Sequence, residues 1–125
     1  MAKRALILFA HGARAASWAA PFERLRALAQ ARMPDVVVAL AFLELMTPAL
    51  PELGAELAAA GVSEITVVPL FLGQGGHVLR DLPLLVERLR LAHPGLAIAV
   101  AEAVGENAAV LDAIADYCVG AVRPD

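Results

Sequence analysis

Four times along this chain a short run of consecutive apolar residues gives way to a longer stretch in which apolar residues recur every three or four positions. The runs are Ala5 to Ala10, Val36 to Leu43, Ile65 to Phe71 and Leu96 to Val100. Each has the length of a strand. Continuous apolar content, rather than alternation, is what a strand covered on both faces requires. Pro69 cannot donate a ladder hydrogen bond, so it belongs near a strand end or a sheet edge. The stretches between the runs place Phe22, Leu25, Leu28, Ala29 and Met33 on one helical face, and Leu50, Leu53, Leu57 and Ala58 on a second. Leu82, Leu85, Val86 and Leu89 form a third face, and Leu111, Ile114, Ala115, Cys118 and Val122 a fourth. Alternating strands and helices imply an α/β fold with a parallel sheet and right-handed crossovers. We expect one three-layer domain over residues 1–125, with a four-stranded parallel sheet of order 2-1-3-4 flanked by helices.

The punctuation agrees with this alternation. Ser17 is placed to cap the first helix, with Pro21 tolerated in its first turn. Met33-Pro34-Asp35 stops that helix. Thr47 with Pro48 opens the second, and Gly61 closes it. Asp81 and Pro83 open the third, and His93-Pro94-Gly95 is the turn after it, which puts His93 on the surface. Trp18 staples the start of the first helix. Cys118, on the apolar face of the last helix, reads as an inert core residue.

Composition excludes several classes. At 125 residues the chain has room for one domain. Apolar residues make up 60%, with only 5% aromatic, and the surplus is alanine, 28 residues in all. Alanine favours helices and adds little buried area per residue. The mean hydropathy of +0.69 raises the question of a membrane span. The longest uncharged stretch, Ile65 to Leu79, is too short and is broken by Pro69, Gly73, Gln74, Gly75, Gly76 and His77. The opening MAKRALILFAHGAR lacks the long apolar region and cleavage site of a signal peptide. We therefore expect a soluble cytoplasmic protein without membrane association. The apolar surplus then goes into a sheet buried on both faces or into an interface with another chain. Moderate charge with a net of −3 excludes disorder and a nucleic-acid footprint, and a lone cysteine excludes a disulfide scaffold.

In open parallel sheets, ligands bind beyond the carboxyl ends of the strands, where the strand order reverses. Here that point lies between the first and third strands. His11 directly follows the first strand, and His77 ends a glycine-rich loop after the third. The second strand delivers Glu44 to the same rim. Two imidazoles and a carboxylate suit a borderline divalent metal such as Co²⁺, Fe²⁺, Ni²⁺ or Zn²⁺. Neutral imidazole is also a base near physiological pH. A single loop histidine is more often a surface or hydrogen-bonding residue; two of them at the switch point favour a site.

Gly73, Gly75 and Gly76 admit two readings: a turn needing positive φ, or close approach of the backbone to a flat or anionic ligand. The run lacks a P-loop ending, and no dinucleotide fingerprint occurs, so no nucleotide is expected. Arg14 and Arg80 flank the histidines, either as ordinary solvated charges or as partners for the carboxylates of an acidic substrate.

These residues carry a resemblance over nearly the whole chain. Leu8-Phe9-Ala10-His11-Gly12-Ala13-Arg14, Ala41-Phe42-Leu43-Glu44 with Pro48-Ala49-Leu50, and above all the stretch from Val68 to Pro83 resemble the short form of the class II, ATP-independent tetrapyrrole chelatases, the sirohydrochlorin cobaltochelatases. Ala13 departs from the family's usual serine, and the histidine-rich tract of some members is absent. The resemblance implies a chelatase-like fold and insertion of a divalent metal into sirohydrochlorin, on the way to cobalamin or siroheme. Co²⁺ is the first expectation, with Ni²⁺ or Fe²⁺ as alternatives. By this match His11 and His77 correspond to metal-binding and proton-accepting histidines, and Glu44 to a further metal ligand. Gly75, Gly76, Arg14 and Arg80 fall where substrate would bind. The resemblance also implies a homodimer that builds a shared cleft from two chains.

The residue types fit such chemistry. A tetrapyrrole loses pyrrole protons as metal enters, and imidazole can hold the ion and yet release it, unlike a closed four-cysteine cage. A non-enzymatic metal or tetrapyrrole carrier would use the same histidines. A phosphotransfer enzyme with His11 as nucleophile is disfavoured, because Ala10 stands where such a site places arginine.

Overall fold

The computed structural model describes residues 2–73 and 75–123, with backbone alone at 76–79. The elements follow the alternation read from the sequence: β1 (Arg4–Ala10), α1 (Ala20–Arg32), β2 (Val36–Phe42), α2 (Leu50–Ala59), β3 (Glu64–Pro69), α3 (Gly76–Ala92), β4 (Ala97–Val100) and α4 (Ala108–Val122). Short 3-10 turns at Ala16–Ala19 and Val104–Glu106 precede α1 and α4. The four strands are parallel and ordered β2-β1-β3-β4, as expected. Pro69 is the last residue of β3, where its missing donor breaks no interior ladder bond.

The continuous apolar runs are explained by two cores, one on each side of the sheet. Ala5, Ile7 and Phe9 of β1 point into the larger core, with Ile65 and Val67 of β3 and the helix residues Leu50, Leu53, Leu57, Leu82, Val86 and Leu89. Leu8 and Ala10 point the other way, into a smaller core with Val38, Leu40 and Phe42 of β2, with Phe22 and Ala29 of α1, and with Met33 at that helix's C-cap. Burying one such large side chain contributes about 1.5–3 kcal/mol, so β1, filled from both sides, anchors the fold.

Helix boundaries differ from the sequence reading in instructive ways. Ser17 does not cap α1; it lies in the 3-10 turn, and the N-cap is Ala19, with no side-chain cap. The entry is set instead by Trp18 packed on Phe22, ring centroids 4.6 Å apart. Helix α2 starts at Leu50, not at Thr47. The Phe42 amide donates to the Pro48 carbonyl at 3.0 Å and Phe42 bridges to Ala49, so this stretch is held against the end of β2 and the helix begins after it. Gly61 does close α2: at φ +90° it lets its own amide reach Ala58 O and the Val62 amide reach Leu57 O. Helix α3 begins at Gly76, so Asp81 and Pro83 lie inside it rather than opening it. An interior proline costs about 3 kcal/mol; the buried stripe of Leu82, Val86 and Leu89 offsets that.

The largest departure is α4. Its expected apolar face (Leu111, Ile114, Ala115, Cys118 and Val122) is exposed, and so is every described residue from Leu111 to Arg123. Cys118 is therefore a surface thiol and not a core residue. The cause lies at the helix root. The Gly105 amide donates to Phe71 O at 2.9 Å, and a Cβ at Gly105 would overlap the Leu72 carbonyl oxygen. Asn107 Oδ1 accepts from the Val110 amide at 3.1 Å, and Asn107 Nδ2 donates to Glu102 Oε1 at 2.8 Å. This seat on the end of β3 holds α4 off the sheet. Leu25 and Leu28 of α1 are likewise exposed, because that helix touches the smaller core through Phe22 and Ala29, with Met33 at its C-cap.

Side chains occupy both outer edges of the sheet. Gln30 Nε2 donates to Val36 O at 2.7 Å and to Met33 O at 3.1 Å, and Gln30 Oε1 accepts from the Val38 amide at 3.0 Å. Arg26 reaches Val38 O at 3.4 Å. On the opposite edge, Arg90 donates to Ile98 O at 2.8 Å. Among the described residues, no helix is long and apolar enough to cross a membrane.

Candidate active site

The β1–β2 ladder runs one step past the strands. The Leu43 amide donates to Ala10 O at 2.9 Å and the Glu44 amide to His11 O at 3.1 Å. These bonds draw the two chain segments together just where each carries a polar side chain. Gly12 makes the approach possible. It sits at φ +97°, and a Cβ there would overlap the Glu44 carbonyl oxygen. Past Glu44 the chain turns sharply: Leu45 adopts φ +66° and the Met46 amide donates to Glu44 O at 2.8 Å.

The result is a pair. His11 Nε2 lies 2.9 Å from Glu44 Oε1, with both side chains nearly half exposed, at 44% and 47%. A carboxylate only accepts, so Nε2 carries the proton of this bond and Nδ1 is left as the acceptor of the neutral ring. The spacing has a second meaning. Two donor atoms each about 2.1 Å from one ion and at right angles lie about 3.0 Å apart. The pair thus fits adjacent positions on a single divalent ion once the shared proton leaves. Partial exposure keeps the ion reachable. Phe71 packs its ring edge-on to His11, centroids 6.3 Å apart, and is itself steadied by Phe9 at 6.0 Å.

Of the residues singled out by sequence, the structure brings His11 and Glu44 into contact. His77 falls in the first turn of α3, not at the end of a loop; its side chain and the Gly76 position beyond the backbone lie outside the described residues. Among the described residues, no group of three or more histidine, cysteine, aspartate or glutamate side chains gathers to hold a metal. Gly75 is the extended N-cap of α3, at φ −76°. Gly73 and Gly75 do not have positive φ, which corrects the expected left-handed turn; a Cβ at either would meet open space. Arg14 is exposed in the segment after β1, and Arg80 is exposed on α3.

Sequence reading missed Phe71, Leu45 and Leu72. The apolar run Ile65 to Phe71 puts Phe71 inside a strand, whereas β3 ends at Pro69. Its position two residues past Pro69, where β3 must end, was the available signal that it belongs to the rim. Leu45 and Leu72 are exposed large apolar residues that directly follow Glu44 and Phe71, and nothing in the local sequence sets them apart from core leucines. A hollow of about 260 Å³ opens between Leu43 and Asp81, Leu84, Leu85 and Arg88 of α3.

Comparison with known proteins agrees with this fold. A CbiX protein from Marinobacter aquaeolei VT8, assigned to cobalamin (vitamin B12) biosynthesis, superposes with a TM-score of 0.85 at 34% identity, covering 98% of this chain and 99% of that one. The sirohydrochlorin chelatase SirB from Bacillus subtilis subspecies spizizenii, solved in complex with cobalt, superposes with a TM-score of 0.74 at 25% identity, covering 84% of this chain and 45% of SirB. A sirohydrochlorin cobaltochelatase of Methanothermobacter thermautotrophicus is 45% identical over 49 residues, which is 39% of this chain and 34% of that protein. The matched part is thus about a third of that relative's length. The profile of the CbiX family matches residues 5–119. From β1 through most of α4, this chain belongs to the CbiX family.

Proposed function

We propose that this protein inserts a divalent metal ion, Co²⁺ first among candidates, into sirohydrochlorin. The observation that carries the proposal is the His11–Glu44 pair, 2.9 Å apart and half exposed at the strand-order reversal of a CbiX-family sheet. The names of the cobaltochelatase relatives and of SirB support the substrate and the metal.

In this reading His11 and Glu44 receive the aqueous ion, with His77 from α3 as the third ligand. The tetrapyrrole lies over the rim, where Leu45 and Leu72 offer apolar contact to the macrocycle. Arg14 and Arg80 meet its carboxylates, and the Gly75-Gly76 backbone lets it approach closely. For each divalent ion that enters, a pair of pyrrole protons leaves. His11 and His77 accept them as their nitrogens give up the metal, and water then removes them. Imidazole and carboxylate hold the ion firmly enough to strip water from it and loosely enough to surrender it to the macrocycle. Ni²⁺ or Fe²⁺ would fit the same donors. Residues 1–125 act as one chelatase-like unit in the cytoplasm, in cobalamin or siroheme synthesis, and two copies form a homodimer around a shared cleft.

The test is turnover. Substoichiometric protein is mixed anaerobically with sirohydrochlorin and Co²⁺ while the absorption spectrum is followed. Many turnovers per protein are expected. Metal and macrocycle binding without acceleration over the background rate would mean a carrier instead.

A further inference from the structure

We infer that Phe71 is a positioning residue for His11: its ring, seated by Gly105 from beyond β4, fixes the imidazole in the rotamer that meets Glu44 and a metal ion. The inference rests on the metal-binding role proposed for His11 and names the residue that prepares it.

His11 is poorly fixed by Glu44 alone. Its Nε2 bonds to Glu44 Oε1 at 2.9 Å, but both side chains are nearly half exposed. A hydrogen bond between two such side chains does not decide where either sits, because they can swing together. The χ2 torsion of histidine is also broad. Something rigid has to touch the ring, and Phe71 does. It is buried, at 7% exposure, and its ring stands on the fully buried Phe9, centroids 6.0 Å apart and planes at 83°. Its contact with His11 has centroids 6.3 Å apart and planes at 89°. Both spacings fall in the range of perpendicular aromatic pairs. The order Phe9, Phe71, His11, Glu44 thus runs from the core to the rim, each ring placed by the more buried one before it.

Backbone contacts hold Phe71 within reach. The β1–β3 ladder runs one step past Pro69, with the Leu70 amide donating to Phe9 O at 2.8 Å. This mirrors the extra step on the other side of β1 that delivers Glu44. The chain after β4 then closes over the end of β3. The Ala101 amide donates to Val67 O and the Gly105 amide to Phe71 O, each at 2.9 Å. A Cβ at Gly105 would overlap the Leu72 carbonyl oxygen, so this seat needs glycine. His11 therefore stands between two glycine-dependent approaches. Gly12 admits Glu44 from the β2 side, and Gly105 admits the Phe71-Leu72 backbone from the β3 side. The consequence is a donor nitrogen set in place before the ion arrives, which spares binding the entropy of fixing the ring.

The test reads His11 before any metal is added. NMR on metal-free protein should show one χ1 rotamer from the three-bond couplings, and His11 ring-proton shifts displaced by the Phe71 ring. Phe71→Leu keeps apolar bulk and removes the ring. It should average the His11 rotamers and weaken Co²⁺ binding by calorimetry about tenfold. Gly105→Ala keeps every side chain of the site and should do the same. The double variant should lose no more than either single one, because both act through one contact. An unchanged His11 rotamer in Phe71→Leu, or an unchanged Co²⁺ affinity, would overturn the inference, and so would full additivity in the double variant. If Phe71→Leu does not fold, Gly105→Ala decides by the same two readings. Wild type that fails to bind Co²⁺ would strike the proposed function instead, and the metal-free rotamer would then decide the role of Phe71 alone.

Discussion

Gly12 and Gly61 have nearly the same left-handed backbone, φ +97° and +90°, but different surroundings. Nothing lies within 4 Å of a Cβ built on Gly61, whereas one on Gly12 would overlap the carbonyl oxygen of Glu44. Alanine at either site bears the left-handed penalty of about 1–2 kcal/mol. Gly61→Ala should stop there. Gly12→Ala must also push Glu44 away from His11 and lose the Glu44-to-His11 backbone bond, worth about 1 kcal/mol, with further strain in the adjoining turn. We expect a total of about 3–5 kcal/mol, near the upper range for a point change. At roughly 4 °C per kcal/mol for a domain of this size, the two variants should melt about 4–8 °C and about 12–20 °C below wild type. Both are measured by urea titration and thermal scan at one protein concentration, since association shifts apparent stability. Gly12→Ala should also weaken Co²⁺ binding by calorimetry at least about tenfold, because the paired donors no longer meet, while Gly61→Ala should bind as wild type does. Equal destabilisation by the two alanines would refute the claim that Gly12 serves a close approach rather than a turn.

Other consequences follow from single contacts. Glu44→Gln keeps a hydrogen bond to His11 but removes the charge, and Co²⁺ affinity measured by calorimetry should fall about ten- to a hundredfold; an unchanged affinity would take Glu44 out of the ligand set. Gly54 faces the buried tip of Leu89, where a Cβ would collide with the leucine methyls. Gly54→Ala should therefore cost about 1–3 kcal/mol in urea unfolding, and a neutral result would mean that α2 and α3 are free to separate. Arg14→Ala should raise KM for the tetrapyrrole more than it lowers kcat, and equal kinetics would leave Arg14 as an ordinary solvated charge.

How far the sequence could be read depended on the kind of signal. Strand order and the switch point were legible because each apolar run is unbroken, and because His11 and Glu44 directly follow two such runs. Helix starts were less legible, since each was decided by a contact from elsewhere. Trp18 on Phe22 took the place of a Ser17 cap, and Phe42 held the stretch after Thr47 back from the helix. The reading of Cys118 as core failed for a further reason. A period of 3.6 residues says that a helix has an apolar side, but not whether its own chain covers it. The contact between His11 and Glu44, 33 residues apart in sequence, needed the ladder step past the strands and the room left by Gly12.

The amide of Gln30 has a consequence for how copies of this protein can meet. It gives one hydrogen bond to Val36 and takes one from Val38, which is what a neighbouring strand would do along the open flank of β2. Arg90 does half as much for β4. An unguarded sheet flank is a template on which another chain can crystallise into fibre-like stacks, and proteins commonly block it with polar side chains. Here the blocking groups come from the helices next to those flanks, so the defence forms together with the sheet. So apolar a chain is thereby kept from zipping strand to strand without end along these two flanks.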